Sequence, residues 1–281
     1  MNAIAVLTVT PTDDQLEFYS GFAQLGYRVF VFIDDNNFKL DNALVKAKNT
    51  GLSLIQIKEY ECRSAGFFNF NATFRKRGGC AAWDKALYYF CCRDLSVDNV
   101  WLIEDDVFVP SHEIIVAIDR KYGNADIISA DNIVNKYGAL DDQDGWPWWR
   151  LVPKTILPPP WAHSMVCAVR LSRKMLTALD AFIRSNSNTL RFINTVISVI
   201  KVAGLLRQKS LWRKRLYIEY IFHTLALHNQ LSVIKAQELS GVVYRKDWNV
   251  LKMNSETIYH PLKDSNLHPR YRKILNQDTT K

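Results

Sequence analysis

Short runs of unbroken apolar residues alternate with stretches in which apolar residues return every third or fourth position. Residues 4–9 form a β-rich run, residues 14–25 carry Leu16, Tyr19, Phe22 and Ala23 at helical spacing until Gly26 stops them, and Val29-Phe30-Val31-Phe32-Ile33 follows without a polar interruption. A strand that is apolar at every position is buried on both faces. That marks a parallel sheet covered by helices, since a one-sided antiparallel strand would alternate. The pattern goes on to predict a helix over 40–48, a strand over 52–57, a helix over 79–93 and a strand over 100–103. A helix over 114–121 and strands over 125–130 and 166–169 come next. Beyond that the pattern is helical, over 172–184 with Ser172 or a neighbour as N-cap, then over 190–206 and 216–231. Residues 276–281 read as a frayed tail. The expected fold class is therefore α/β, a Rossmann-like, mostly parallel sheet with helices on both faces, plus a helical C-terminal portion.

The run Val100-Trp101-Leu102-Ile103-Glu104-Asp105-Asp106-Val107-Phe108-Val109 breaks this pattern with three consecutive carboxylates. Burying unpaired carboxylates costs several kcal/mol, so these acids belong at the open end of the strand, holding something cationic. A divalent metal such as Mg²⁺ or Mn²⁺ favours carboxylate oxygen and shares its coordination shell with phosphate oxygens, which points to a nucleotide. An acidic turn closing a strand is the competing reading. In an α/β sheet a ligand lies beyond the carboxyl ends of the strands, where Thr8 and Thr10, Asp34 and Asp35, and the acidic triplet all emerge.

With 281 residues, 48% of them apolar and 12% aromatic, the chain has a globular composition, and its net charge of +8 favours anionic partners. Five cysteines, an odd number without CxxC spacing, suggest reduced thiols in the cytoplasm. The first residues lack a basic leader and read as a strand, so no secretory signal is expected. The apolar stretch 192–206 contains Asn194 and Lys201 and falls short of a membrane span. Residues 141–161 hold four tryptophans, five prolines and three aspartates. Their flat rings, among them Trp146, Trp148 and Trp161 with the nearby His163, suit a sugar or other ring-shaped partner, or else form a folded-over apolar flap. The basic cluster at 207–215 surrounds Leu211 and Trp212, and reads either as a peripheral contact with an anionic membrane or as a solvated connection.

Phe74-Arg75-Lys76-Arg77-Gly78-Gly79, running into Trp83-Asp84-Lys85, places cations and flexible backbone at a helix start, where diphosphate is stabilised; it lacks the Walker ending. Tyr217-Ile218-Glu219-Tyr220-Ile221-Phe222 sets one acid among bulky apolar residues, and Ile258-Tyr259-His260-Pro261-Leu262-Lys263 carries a late histidine. In this order the residues resemble the GT-A glycosyltransferases, which use a DXD-type acidic motif on a Rossmann-like sheet to transfer a sugar from a nucleotide-sugar donor. The resemblance is one of pattern over roughly the whole chain, and only the triplet is fairly specific.

It implies a single catalytic domain over 1–281, with a nucleotide-sugar-binding half at 1–130, an acceptor-binding, helical half at 131–265 and a tail at 266–281. It further implies Mn²⁺ or Mg²⁺ on Asp106, Asp105 and His260. Thr8, Thr10, Asp34, Asp35, Arg77, Trp83, Lys85, Glu104, Asp105 and Lys263 would bind the donor, and a UDP-sugar is the expected one. Glu219 would act as the base of an inverting transfer, with Asp144 in the Trp-rich loop as its rival, alongside Asp141 and Asp142. Trp146, Trp148, Trp161 and His163 would face a glycan or lipid-linked acceptor. A nucleotidyltransferase or sugar-nucleotide pyrophosphorylase shares the sheet and the acids, but Pro11-Thr12-Asp13-Asp14 is not the Gly-rich loop it would need. A nucleic-acid-binding module is disfavoured, because the basic residues scatter and the triplet would repel a phosphate backbone.

Overall fold

The computed structural model describes residues 1–39, 51–68, 70, 80–140, 145–202 and 214–278. The helix expected over 40–48 lies outside them, as do Arg77, Asp141, Asp142, Asp144 and most of the 207–215 cluster. Strand β1 (Asn2–Thr8) leads into helix α1 (Asp13–Gln24), whose start is fixed by a reciprocal cap. The Gln15 amide donates to Thr12 Oγ1 at 3.3 Å and the Thr12 amide donates to Gln15 Oε1 at 3.0 Å. Strands β2 (Arg28–Ile33) and β3 (Leu52–Ile55) follow, then α2 (Glu59–Ser64) and α3 (Ala82–Tyr88). A π turn over Tyr89–Arg93 extends α3 to the predicted end of its helix.

Next come β4 (Asn99–Glu104), α4 (His112–Lys121), β5 (Ile127–Ser129), and the paired strands β6 (Ile133–Asn135) and β7 (Trp161–His163). Strand β8 (Ala168–Ser172) precedes α5 (Arg173–Val202), α6 (Ile218–His228) and β9 (Val233–Lys235). The chain finishes with β10 (Gly241–Val242), β11 (Tyr259–His260) and α7 (His268–Asp278), the last within the stretch read as a tail.

Seven strands form one sheet in the order β3-β2-β1-β4-β8-β5-β9. Every neighbouring pair is parallel except those made by β8, which runs against both β4 and β5. This is the expected α/β architecture, a mostly parallel sheet with helices on both faces and a helical C-terminal portion. Successive residues of β1 show why its strands look continuously apolar. Ala3, Ala5 and Leu7 enter a core shared with α3, α5 and α6, whereas Ile4 and Val6 enter a second core shared with α1 and α4.

Two predicted helices, over 172–184 and 190–206, are one helix. Ser185-Asn186-Ser187-Asn188 lowers local propensity, yet Leu176, Leu179, Ile183, Leu190 and Ile197 keep a single buried stripe through it. Ser172 caps this helix, its hydroxyl accepting from the Met175 amide at 3.1 Å. No helix among the described residues is long and apolar enough to cross a membrane.

Candidate functional site

Because β8 is antiparallel, its amino end comes to the same edge of the sheet as the carboxyl ends of β1, β2, β4 and β5. Thr8, Asp34, Glu104 and Cys167 therefore share one rim. The Asp34 amide donates to the Thr8 carbonyl at 2.8 Å, and the Glu104 amide donates to the Cys167 carbonyl at 2.9 Å.

The turn that follows β4 divides the triplet. Asp105 turns to β1, where its Oδ2 accepts from Thr8 Oγ1 at 2.8 Å. Glu104 and Asp106 face the other way, toward His260. The chain is joined there by backbone: the Phe108 amide donates to Tyr259 O at 2.8 Å, the Tyr259 amide to Phe108 O at 3.0 Å, and the Leu262 amide to Asp106 O at 2.7 Å. His260 Nε2 consequently stands 3.5 Å from Asp106 Oδ1. Asp105, expected as a ligand with Asp106 and His260, thus bonds Thr8 on β1 through Oδ2, while a Glu104 carboxylate oxygen lies within 4.8 Å of a His260 ring nitrogen.

Among the described residues, Glu104, Cys167 and His260 form a group that could hold a metal ion, their ligand atoms all within 4.8 Å of one another. The donor chemistry fits a cation. His260 Nδ1 lies 3.0 Å from the Val243 carbonyl, which can only accept, so Nδ1 carries a proton; in the neutral ring the Nε2 lone pair then faces Asp106 Oδ1, which is buried. Two acceptors in such a position need a proton or a metal between them. Burial opposes a charged His260, but Asp106 and Glu104 outweigh it and raise its pKa. Burial, then Asp106, also holds the Glu104 carboxyl above its ordinary range, although Trp83 Nε1 donates to it.

Beside this group opens a pocket of about 270 Å³ lined by Asp131, Trp146, Trp148, Met165, Glu219 and Tyr244, among others. Glu219, in the first turn of α6, is 8% exposed. It accepts from Trp146 Nε1 at 3.2 Å and from the Tyr217 hydroxyl. Burial pushes its pKa up to about 7. Trp146 stacks on His163 at a centroid distance of 4.3 Å and lies parallel to Tyr217 at 6.2 Å, and it is half-buried in the pocket wall. Trp148 packs edge-on against Tyr217 and lines the pocket. Trp161 is fully buried against Trp149, and belongs to the core. The Trp-rich segment is thus half flap and half pocket wall.

Lys85 is also fully buried. Its Nζ donates to Ile33 O at 3.2 Å, Asp34 O at 2.7 Å and Asn36 Oδ1 at 2.8 Å, and lies 3.7 Å from Asp34 Oδ1. It ties down the end of β2. Asp35 caps a turn, accepting from the Asn37 amide at 2.9 Å. Thr10 and Lys263 are exposed.

Sequence reasoning missed Asp131, Met165, Cys167 and Tyr244. Asp131 had a readable signal, since it follows the predicted strand 125–130 at the same sheet edge. Cys167 had none, because its place depends on β8 running antiparallel.

No protein-family model matches the chain, and no curated protein sequence matches it. Solved structures that it resembles include an active-site mutant of LgtC, at 12% identity and a TM-score of 0.38, covering 80% of this chain and 69% of that one. Another is the apo form of mouse xyloside xylosyltransferase 1, at 10% identity and a TM-score of 0.37, covering 83% of this chain and 84% of that one. Similarities of this depth say nothing of donor, acceptor or mechanism.

Proposed function

We propose that the chain is a glycosyltransferase that moves a sugar from a nucleotide-sugar donor, a UDP-sugar by preference, to a hydroxyl of a glycan or lipid-linked acceptor. One observation carries this reading: Glu104, Asp106 and His260 converge beside an aromatic pocket that contains an acid held at a pKa of about 7. Glu104, Asp106 and His260 would hold Mn²⁺ or Mg²⁺, which neutralises the charge that develops on the departing diphosphate. Thr8, Thr10, Asp34 and Asp35 border the place for the nucleoside, with Trp83 positioning Glu104 and Lys85 holding the β2 end. Lys263, together with Arg77 outside the described residues, is available to phosphate. Residues 1–130 would form the donor half and 131–265 the acceptor half of one unit.

Glu219 is the proposed base. Its carboxylate takes the proton of the acceptor hydroxyl as the oxygen attacks the anomeric carbon, and the bond to the diphosphate breaks on the opposite face, inverting the centre. A base with a pKa near 7 is matched to that task. Trp148 and Tyr244 supply apolar surface for a sugar ring, and His163 reaches the acceptor side through its stack on Trp146. The rival base Asp144 and a peripheral membrane contact through 207–215 rest on sequence alone, as does a place in the cytoplasm.

Thermal-shift titration of UDP-, GDP-, dTDP- and CMP-sugars, each with Mn²⁺ and with EDTA, tests the reading. A ligand at 100 times its Kd stabilises by about 2.7 kcal/mol, enough for a shift of several degrees. One nucleotide giving a metal-dependent shift is the expected result. No shift with any of them removes the donor assignment.

A further inference from the structure

Sugar transfer as proposed makes no use of Cys167, although this residue stands within the same cluster. Ala168 pairs with Ile103 in antiparallel register, so the residue that enters β8 lies beside the residue that leaves β4. This brings Cys167 Sγ within 4.8 Å of both a Glu104 carboxylate oxygen and a His260 ring nitrogen. On its other side Sγ lies 3.7 Å from Met165 Sδ, in the wall of the aromatic pocket. The sulfur therefore sits between the acids and the pocket.

Two ligand atoms each about 2.1 Å from one tetrahedral ion are about 3.4 Å apart. The 3.5 Å between His260 Nε2 and Asp106 Oδ1 already has that spacing. The ligand atoms of Glu104, Cys167 and His260, all within 4.8 Å of one another, would close by about an ångström to share one ion, given bond lengths of about 2.0 Å to oxygen and 2.3 Å to sulfur.

We infer that Cys167 is a ligand of this site, and that Glu104, Asp106, Cys167 and His260 together select a thiophilic divalent cation such as Zn²⁺, Co²⁺ or Cd²⁺ over Mg²⁺. The inference rests on the metal assignment made above, and is independent of sugar transfer. Thiolate sulfur favours softer cations, whereas Mg²⁺ demands near-octahedral oxygen and keeps several waters. On coordination the thiol proton passes to solvent and the thiolate binds the ion directly.

The test is Co²⁺ titration of the EDTA-stripped, reduced protein, followed by absorption. The wild type is expected to show thiolate-to-Co²⁺ charge transfer in the near ultraviolet together with visible ligand-field bands. Cys167→Ser should keep the visible bands, lose the charge transfer, and bind Zn²⁺ at least about tenfold more weakly in competition, the loss that even outer-shell changes cause, with Mn²⁺ affinity preserved. Cys167→Ala gives the same reading should serine disturb the fold. Co²⁺ binding without charge transfer, or unchanged Zn²⁺ affinity in the variants, overturns Cys167 as a ligand while the metal site stands. Failure of the wild type to bind Co²⁺, Zn²⁺ or Mn²⁺ overturns both.

Discussion

Glu219 and Lys85 are charged side chains on helices that face the same sheet, and burial treats them oppositely. Lys85 meets the Ile33 and Asp34 carbonyls, Asn36 Oδ1 and the Asp34 carboxylate, oxygens that suit an ammonium. Replacing it in Lys85→Met removes its hydrogen bonds to those oxygens and its ion pair with the Asp34 carboxylate, and should cost about 3–5 kcal/mol in urea denaturation. Glu219 has two neutral donors and no cation among its hydrogen-bond partners, and holds its proton to about pH 7, against an ordinary 4.5. Ionisation thus favours the unfolded chain: the contribution of this group to stability is intact below pH 4.5 and falls by about 3 kcal/mol as pH rises to 7. Glu219→Gln should accordingly raise the urea midpoint relative to wild type at pH 8 but not at pH 4, while transfer drops by at least about 100-fold. The wild-type rate should climb through pH 7 as the carboxylate forms, and a flat profile would move the base elsewhere.

At the scale of elements, the decisive join is the small parallel pair β10 and β11, which carries His260 to the acids. Gly241 permits it, because a Cβ there would lie 2.5 Å from Ile258 O and 2.7 Å from the Tyr259 ring. Gly241→Ala should push 258–260 aside and lower Mn²⁺ affinity at least about tenfold in calorimetry, with far-ultraviolet dichroism unchanged. Neither strand was legible beforehand, since two residues in a Gly-Val or Tyr-His pair carry no periodicity. The strands of the parallel core were legible for the opposite reason. Burial on both faces makes β1, β2 and β4 apolar at every position between their polar ends, a signal that depends on no partner. Helix α5 shows the converse limit, where local propensity predicted a break that the continuous buried stripe overrode.

For the molecule as a whole, a bound cation would tie the carboxyl edge of the sheet to the C-terminal segment, two parts of the chain more than 150 residues apart. Hydrogen exchange with and without Mn²⁺ should therefore show protection rising together at 104–108, 241–243 and 259–262, with β1 amides unaffected; a rise confined to 104–108 would mean that His260 is not a ligand. The sequence by itself determined the sheet, its two apolar faces and the acids at its rim, because buried strands and displaced charges are properties of short segments. It also singled out Glu219, an acid amid bulky apolar neighbours, whereas His260 was picked out only by the resemblance to the GT-A pattern. What only the tertiary structure decided is which of these meet. The turn after β4 leaves Glu104 and Asp106 near His260 and sends Asp105 to Thr8. The reversed direction of β8 delivers Cys167, and packing sorts the tryptophans into core and pocket wall. Such choices depend on register and on contacts between distant segments, to which no local pattern is sensitive.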